Sequence, residues 1–378
     1  MTGSAPPKVA IVVGTQKLSG AQKRAIKIFR GLVEQGYAVE LWLDPALKRG
    51  AAKEFPREAE AAIEYNSGGG LQRLFRPIQR SAILWDIFER SGIPRRLGNP
   101  RFERLAAERG IDVAHVFLDL QIGHVRGVRT IFELSSPDIA NEMSSRPLPR
   151  QLSHKLYHAV SPNVARIFAS QSPFTPMVEA IGPYFAPTTH SANAVKRDEV
   201  IFAHRFIPRK NAALFARVAR RFVEFRPDWT VRIIGWGDCE DEVRAAITGA
   251  GDRIELLTTN NVPSFLAHSK VFVSLIQPDN YPSQSVMEAM AAGNALCLSD
   301  TGDSVARFLD GNGVATELEE AVVLDRLLEL TSDQERLQAL GERSRQLIAE
   351  RFSAEAYLRH IKQLYARVAD AKSKGPIG

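Results

Sequence analysis

Cysteine is scarce in this chain: 378 residues contain two, Cys239 and Cys297, with no CxxC pair. That excludes a disulfide framework and a cysteine-ligated zinc site, and makes a reducing compartment the natural setting. Long apolar runs are missing too, and no stretch reaches the roughly 20 residues that a membrane-spanning helix needs. Met1 to Pro7 has no basic segment leading into an apolar one, so no secretory leader is expected and the reading is a cytoplasmic protein. No short repeat or low-complexity tract is present. The first strand is not followed by GxGxxG, which disfavours a dehydrogenase-type dinucleotide fold. Neither an Asp-x-Asp motif nor His, Asp and Glu at ligand spacing occurs, so no metal is expected.

What is present is ordinary globular material, 44% apolar and 24% charged, long enough for two domains. The net charge of +6 is uneven. Residues 1–190 hold 25 Lys/Arg against 17 Asp/Glu, and residues 191–378 hold 24 against 26. A basic half suits an anionic lipid, a phosphorylated acceptor or nucleic acid, or is simply a solvated surface.

The chain reads as alternating strands and helices. Lys8 to Gly14 is a buried strand, Ala21 to Gln35 an amphipathic helix and Ala38 to Leu43 the next strand, a βαβ opening that predicts a parallel sheet. Further strand-length runs lie at Asp112 to Phe117, Thr130 to Leu134 and Arg166 to Ala169. The linker-like Ala186 to Ala194 separates a second series. In it, strands at Glu199 to Phe206, Thr230 to Gly235, Ile254 to Leu257, Val271 to Ile276 and Ala295 to Ser299 alternate with helices at Asn211 to Phe225, Glu240 to Ile247, after Val262, and Ser283 to Ala292. Thr316 to Ala371 is helical in pattern. Two Rossmann-like doubly wound α/β domains follow: 1–192, with a C-terminal helix at 353–378 packing back on it, and 193–352.

Open parallel sheets bind ligands beyond the carboxyl ends of their strands, so polar residues there carry most weight. Ser19-Gly20-Ala21, at the start of the first helix, reads either as a backbone approach to a phosphate or sugar or as a helix cap with a turn glycine. Arg205 to Asn211 puts Arg205, Arg209 and Lys210 before a helix start, where cations oppose the helix dipole unless an anion neutralises them. Gly235-Trp236-Gly237 ends a strand in two glycines, as suits a close ligand or an ordinary turn. Asn280 to Gly293 places Ser283, Gln284 and Ser285 at a helix N-terminus. Glu288 then lies in a helix of small apolar residues, where its carboxylate needs a partner such as ribose hydroxyls or else faces solvent.

In this order, these segments resemble the retaining GT-B glycosyltransferases of glycosyltransferase family four. Ser19-Gly20-Ala21 is similar to the family's glycine loop, Arg205 with Lys210 to its Arg/Lys pair, Gly235-Trp236-Gly237 to its G-x-G turn, and Asn280 to Gly293 to its E-x7-E segment. The resemblance implies two domains facing a cleft. It implies that Arg205 and Lys210 hold the donor diphosphate, that Glu288 binds ribose, and that Gly20, Gly235, Gly237, Asn280, Ser283, Gln284 and Ser285 line the donor site. No cofactor or metal is implied, the cations taking the role a divalent ion has elsewhere. Two departures stand out. Asn280 replaces the first Glu of the E-x7-E segment, and Glu133 stands where many relatives have a His, so that either Glu133 takes its catalytic place or the site differs there.

The expected activity is transfer of a hexose-type sugar from a nucleotide sugar to a glycan or lipid-linked acceptor with retention, in surface-polysaccharide or lipopolysaccharide synthesis. A sugar-nucleotide epimerase and a catalytically silent nucleotide-sugar-binding protein share the plan. Leu71 to Arg101 mixes Arg with Leu, Ile, Phe and Trp. It reads either as a helix lying on anionic lipid, which would put the protein on the inner membrane face, or as one packed on its own domain. No nucleic-acid partner is expected.

Overall fold

The computed structural model describes residues 5–14, 18, 20–65, 100–117, 128–145, 155–170, 177–178, 194–259, 261–279 and 281–370. The chain divides into two units, Met1–Tyr184 with Ala354–Gly378, and Phe185–Ser353. In chain order the first holds β1 (Val9–Val13), α1 (Gly20–Glu34), β2 (Val39–Leu43), α2 (Pro45–Ala51), α3 (Pro56–Ala61), β3 (Ile63–Glu64), α4 (Pro100–Glu108), β4 (Val113–Phe117), β5 (Arg129–Leu134), α5 (Pro137–Ser145), β6 (Lys155–Ala159), α6 (Pro162–Ala169) and β7 (Met177–Val178). The second holds β8 (Arg197–Ala203), α7 (Ala212–Phe225), β9 (Thr230–Ile234), α8 (Glu240–Ile247), β10 (Ile254–Leu257), α9 (Val262–His268), β11 (Ser269–Ser274), α10 (Gln284–Ala291), β12 (Ala295–Ser299), α11 (Ser304–Phe308), β13 (Gly313–Thr316), α12 (Glu320–Thr331) and α13 (Gln334–Arg351). The last helix, α14 (Ala354–Asp370), belongs to the first unit.

In the first unit the strands run in the order β3-β2-β1-β4-β5-β6-β7, in the second β10-β9-β8-β11-β12-β13, and all pairings are parallel. β1 (VAIVV) is wholly buried because a parallel sheet is covered on both faces, which is why it reads as a continuous apolar run rather than an alternation. In the second unit, alternate residues of β8 serve opposite layers. Val200 and Phe202 pack with Phe215, Phe222 and Trp229, whereas Ile201 and Ala203 pack with Met287, Ala289 and Met290 of α10.

The order reverses between β1 and β4 in one sheet and between β8 and β11 in the other. Those switch points are where crossover connections leave in opposite directions and open a crevice at the carboxyl edge.

α14 buries Tyr357, Leu358, Ile361, Leu364, Tyr365 and Val368, a stripe at helical spacing, each such side chain contributing roughly 1.5–3 kcal/mol of gross burial. Its polar contacts fasten it to the first unit: Lys362 donates to Gln35, Arg129 to the Val368 carbonyl, and the Tyr365 hydroxyl lies 2.9 Å from His115 Nδ1.

One expected strand is corrected. Arg166–Ala169 is the second half of α6, which starts at Ser161, whose hydroxyl accepts from the Val164 N–H at 3.2 Å, with Pro162 in the first turn. A four-residue apolar run fits either structure, and the Ser-Pro cap decides for helix. β3, β6, β7 and β13 were not expected. Residues 71–99, which include most of the basic apolar segment, and 186–193 of the linker lie outside the described residues.

Candidate active site

The carboxyl ends of β8 and β11 flank the switch point of the second sheet, and the loops beyond them are tied together. Asn211 adopts a left-handed backbone (φ 54°) and turns its side-chain amide to the Leu275 carbonyl at 2.7 Å, while Gln277 N–H donates to the Arg209 carbonyl at 3.0 Å. Because its side chain is used this way, Asn211 caps nothing, and α7 starts without a side-chain cap or an acidic residue in its first turn. The turn Pro208–Lys210 directly before it carries Arg209 and Lys210, with Arg205 three residues upstream.

Lys210 is half-buried, and burial, then Arg209 and Arg205, pull its ammonium down to about 7. Among the described residues no carboxylate lies within ion-pair distance of Arg205, Arg209 or Lys210. Three cations at an uncapped helix start favour an anion with several oxygens.

On the other side of the crevice, Ser283 Oγ lies 3.1 Å from Ser285 Oγ, and Ser285 Oγ lies 3.3 Å from Nδ1 of the buried His204. Burial, then Lys210, holds His204 well below its ordinary value, so its imidazole is neutral and serves as a hydrogen-bonding link between β8 and α10. Glu288 is partly exposed one turn into α10 and accepts from the Gln284 amide at 3.3 Å. Gly235 and Gly237 let the loop after β9 lie against the loop after β8. A Cβ at Gly235 would stand 1.9 Å from the His204 carbonyl oxygen, and one at Gly237 (φ 147°) 2.5 Å from that of Phe206. Arg205, Lys210, Gly235, Gly237, Ser283, Gln284, Ser285 and Glu288 thus share one edge of one unit. Asn280 lies outside the described residues.

Two expected residues lie in the first unit. Gly20 opens α1, and a Cβ there would touch nothing within 4 Å, so packing does not demand glycine. Glu133, at the end of β5, is fully buried. Arg24 of α1 pairs with Oε1, and Oε2 lies 2.9 Å from His158 Nδ1 and 3.2 Å from His115 Nε2. Burial alone would raise its carboxyl, but Arg24, His158 and His115 outweigh it and hold it well below the usual carboxylate range. It is therefore ionised at neutral pH and orients two imidazoles.

The sequence spacing put no His, Asp and Glu together, and here the structure corrects it: ligand atoms of His115, Glu133 and His158 lie within 4.8 Å of one another. Adjacent strands β4, β5 and β6 make the cluster, which no linear motif records. Arg24 pairs with one carboxylate oxygen and both imidazoles share the other, so the facing ligand atoms are already engaged with one another beside a fixed cation, which offers a divalent ion poor company. His115 and His158 escaped the sequence reading because buried polar residues within strands look like gaps in an apolar pattern.

At the opposite, amino edge of the second unit is an open cavity of about 420 Å³ lined by Lys196, Lys270, Gln338 and Arg345. Two of its cations cap helix ends, and Lys270 pairs with Asp198. Lys196 donates to the Leu266 and Ser269 carbonyls (3.0 and 2.7 Å) and Arg345 to that of Ala292 (3.3 Å).

With this geometry in view, the comparisons with known proteins bear chiefly on the second unit. Residues 197–333 match the family model of the glycosyl transferases group 1. That group 1 segment runs from β8 to the start of α13 and contains both loops of the crevice. The architecture of the chain is that of GT-B glycosyltransferases. A glycosyltransferase from Rickettsia africae shares it at 12% identity and a TM-score of 0.70, over 96% of this chain and 98% of that one. The sucrose-phosphate synthase of Thermosynechococcus elongatus shares it at 14% identity and a TM-score of 0.68, over 96% and 100%. Anabaena HepE in complex with UDP-glucose does so at 15% identity and a TM-score of 0.68, over 97% and 100%. No curated protein sequence matches the chain. Among the described residues no helix is long and apolar enough to cross a membrane.

Proposed function

We propose that the chain is a glycosyltransferase that takes a hexose-type sugar from a nucleotide sugar and transfers it, with retention, to a glycan or lipid-linked acceptor in surface-polysaccharide or lipopolysaccharide synthesis. The observation that carries the reading is the set of Arg205, Arg209 and Lys210, without a carboxylate partner among the described residues, at the switch point of the segment that matches the group 1 model. Arg205 and Lys210 bind the donor diphosphate. As the bond from the anomeric carbon to the β-phosphate oxygen breaks, they stabilise the charge left on the nucleoside diphosphate while the sugar gains oxocarbenium character. With the cations in that role, no divalent ion is required at the diphosphate. Glu288 and Gln284 reach the ribose hydroxyls, and Ser283, Ser285 and the amides of α10 take the remaining sugar and phosphate oxygens. Glu133 acts by holding His115 and His158 in place. UDP-hexoses are the first donors to try, because the HepE neighbour was solved with UDP-glucose.

Thermal shifts with UDP, GDP, ADP, CMP and dTDP test the donor site. A nucleotide at 100 times its dissociation constant adds roughly 2.7 kcal/mol to the folded state. One nucleotide should stabilise the wild type, and Lys210→Ala and Glu288→Ala should each remove most of that gain. No response to any nucleotide refutes the reading. Free epimerised nucleotide sugar formed without an acceptor would replace transfer with epimerisation.

A further inference from the structure

We propose that Trp236 is a positioning residue that holds the Arg205 guanidinium at the donor diphosphate. This rests on the donor-site reading above. Trp236 is 56% exposed, one of four large apolar side chains left so open among the described residues, and it stands at the functional edge. Its backbone has no freedom to retract. Gly235 and Gly237 on either side leave no room for a Cβ against carbonyl oxygens of the neighbouring loop, the Trp236 carbonyl accepts from Phe206 N–H at 2.8 Å, and Gly235 N–H donates to the Leu257 carbonyl at 2.9 Å. The indole face is thus open to a partner.

The Arg205 guanidinium uses it, with its central carbon 5.2 Å from the ring centroid. That contact answers a local problem. Arg205 shares its loop with Arg209 and Lys210, no carboxylate among the described residues pairs with it, and like charges drive an exposed arginine outward into water. A carboxylate partner would restrain Arg205 but would also neutralise it and repel a diphosphate. An aromatic face holds the guanidinium through its ring quadrupole and leaves its charge and its donor fork available. The G-x-G turn therefore supplies an uncharged clamp for a catalytic cation.

UDP binding, or binding of whichever diphosphate the thermal screen selects, is measured by calorimetry on the full chain, and binding of the matching nucleoside by NMR. The proteins are the wild type, Trp236→Ala, Trp236→Phe, Arg205→Ala and the double variant Trp236→Ala/Arg205→Ala. Trp236→Ala should weaken the diphosphate about two- to fivefold, leave the nucleoside unchanged and be largely rescued by phenylalanine. In the Arg205→Ala background, removing the indole should cost nothing further. Equal losses for diphosphate and nucleoside would make Trp236 a platform for the base and overturn the proposal, as would an undiminished effect without Arg205. If Lys210→Ala still abolishes binding in that case, the donor site stands without the clamp. If the wild type binds no nucleotide, both fall.

Discussion

On the proposed donor-site reading, Lys210 makes nucleotide binding a proton-linked event. In the free protein its ammonium titrates at about 7, because burial, Arg209 and Arg205 all disfavour the charge. A diphosphate reverses the last two influences and returns the group toward its ordinary value near 10.4, each unit of that return being worth about 1.4 kcal/mol. The sign follows. Below pH 7 the amine is already charged and affinity is flat on its account, whereas above pH 7 each binding event draws a proton from solvent and affinity falls with pH. At pH 8 about nine-tenths of the amines are neutral, so uptake is ~0.9 proton per nucleotide, and the affinity falls ~50-fold between pH 7 and 9. Calorimetry in buffers of different ionisation enthalpy measures the uptake directly, and working above pH 7 keeps clear of the terminal phosphate of UDP, which titrates near 6. Lys210→Arg should bind without this pH dependence, since a guanidinium stays charged throughout. Proton uptake near zero at pH 8 in the wild type, or the same fall in the arginine variant, would refute the reasoning.

Three further outcomes are expected. Gly235→Ala should unfold the second unit at lower denaturant by several kcal/mol, because its methyl group would stand 1.9 Å from a backbone oxygen that cannot move aside; a loss under ~1 kcal/mol by urea titration counts against that packing. Glu133→Leu leaves the Arg24 charge buried without its carboxylate and should cost roughly 3–5 kcal/mol of stability, with Glu133→Gln milder, both read from urea midpoints. Acid should weaken the first unit before carboxylates titrate. Burial keeps the His115 imidazole below its ordinary 6.5, so as pH drops past about 6.5 the unfolded chain takes a proton that the folded chain refuses, whereas the Glu133 contribution persists until pH falls below about 4.3. A urea midpoint unchanged between pH 7.5 and 5.5 would contradict this.

The sequence by itself determined the α/β class, the parallel sheets and nearly every element of the second unit, down to Glu240–Ile247, Ile254–Leu257 and Ala295–Ser299. It could do so because strands buried on both faces are written as unbroken apolar runs, and because glycines and cations after those runs stand out against them. It also placed Arg205, Lys210, Ser283 and Glu288 on loops and helix starts, since position relative to a strand end is a local property. What only the tertiary structure decided is which of these residues face one another and what each is paired with. The Gln277 and Asn211 hydrogen bonds that join the two loops, the Trp236 face under Arg205, and the enclosure of Glu133 by Arg24, His115 and His158 all connect residues 18 or more positions apart. Sheet order sets these meetings. Adjacency between β8 and β11, or among β4, β5 and β6, arises from burying both faces of a twisted sheet under its helices, and no single strand carries that information in its own residues.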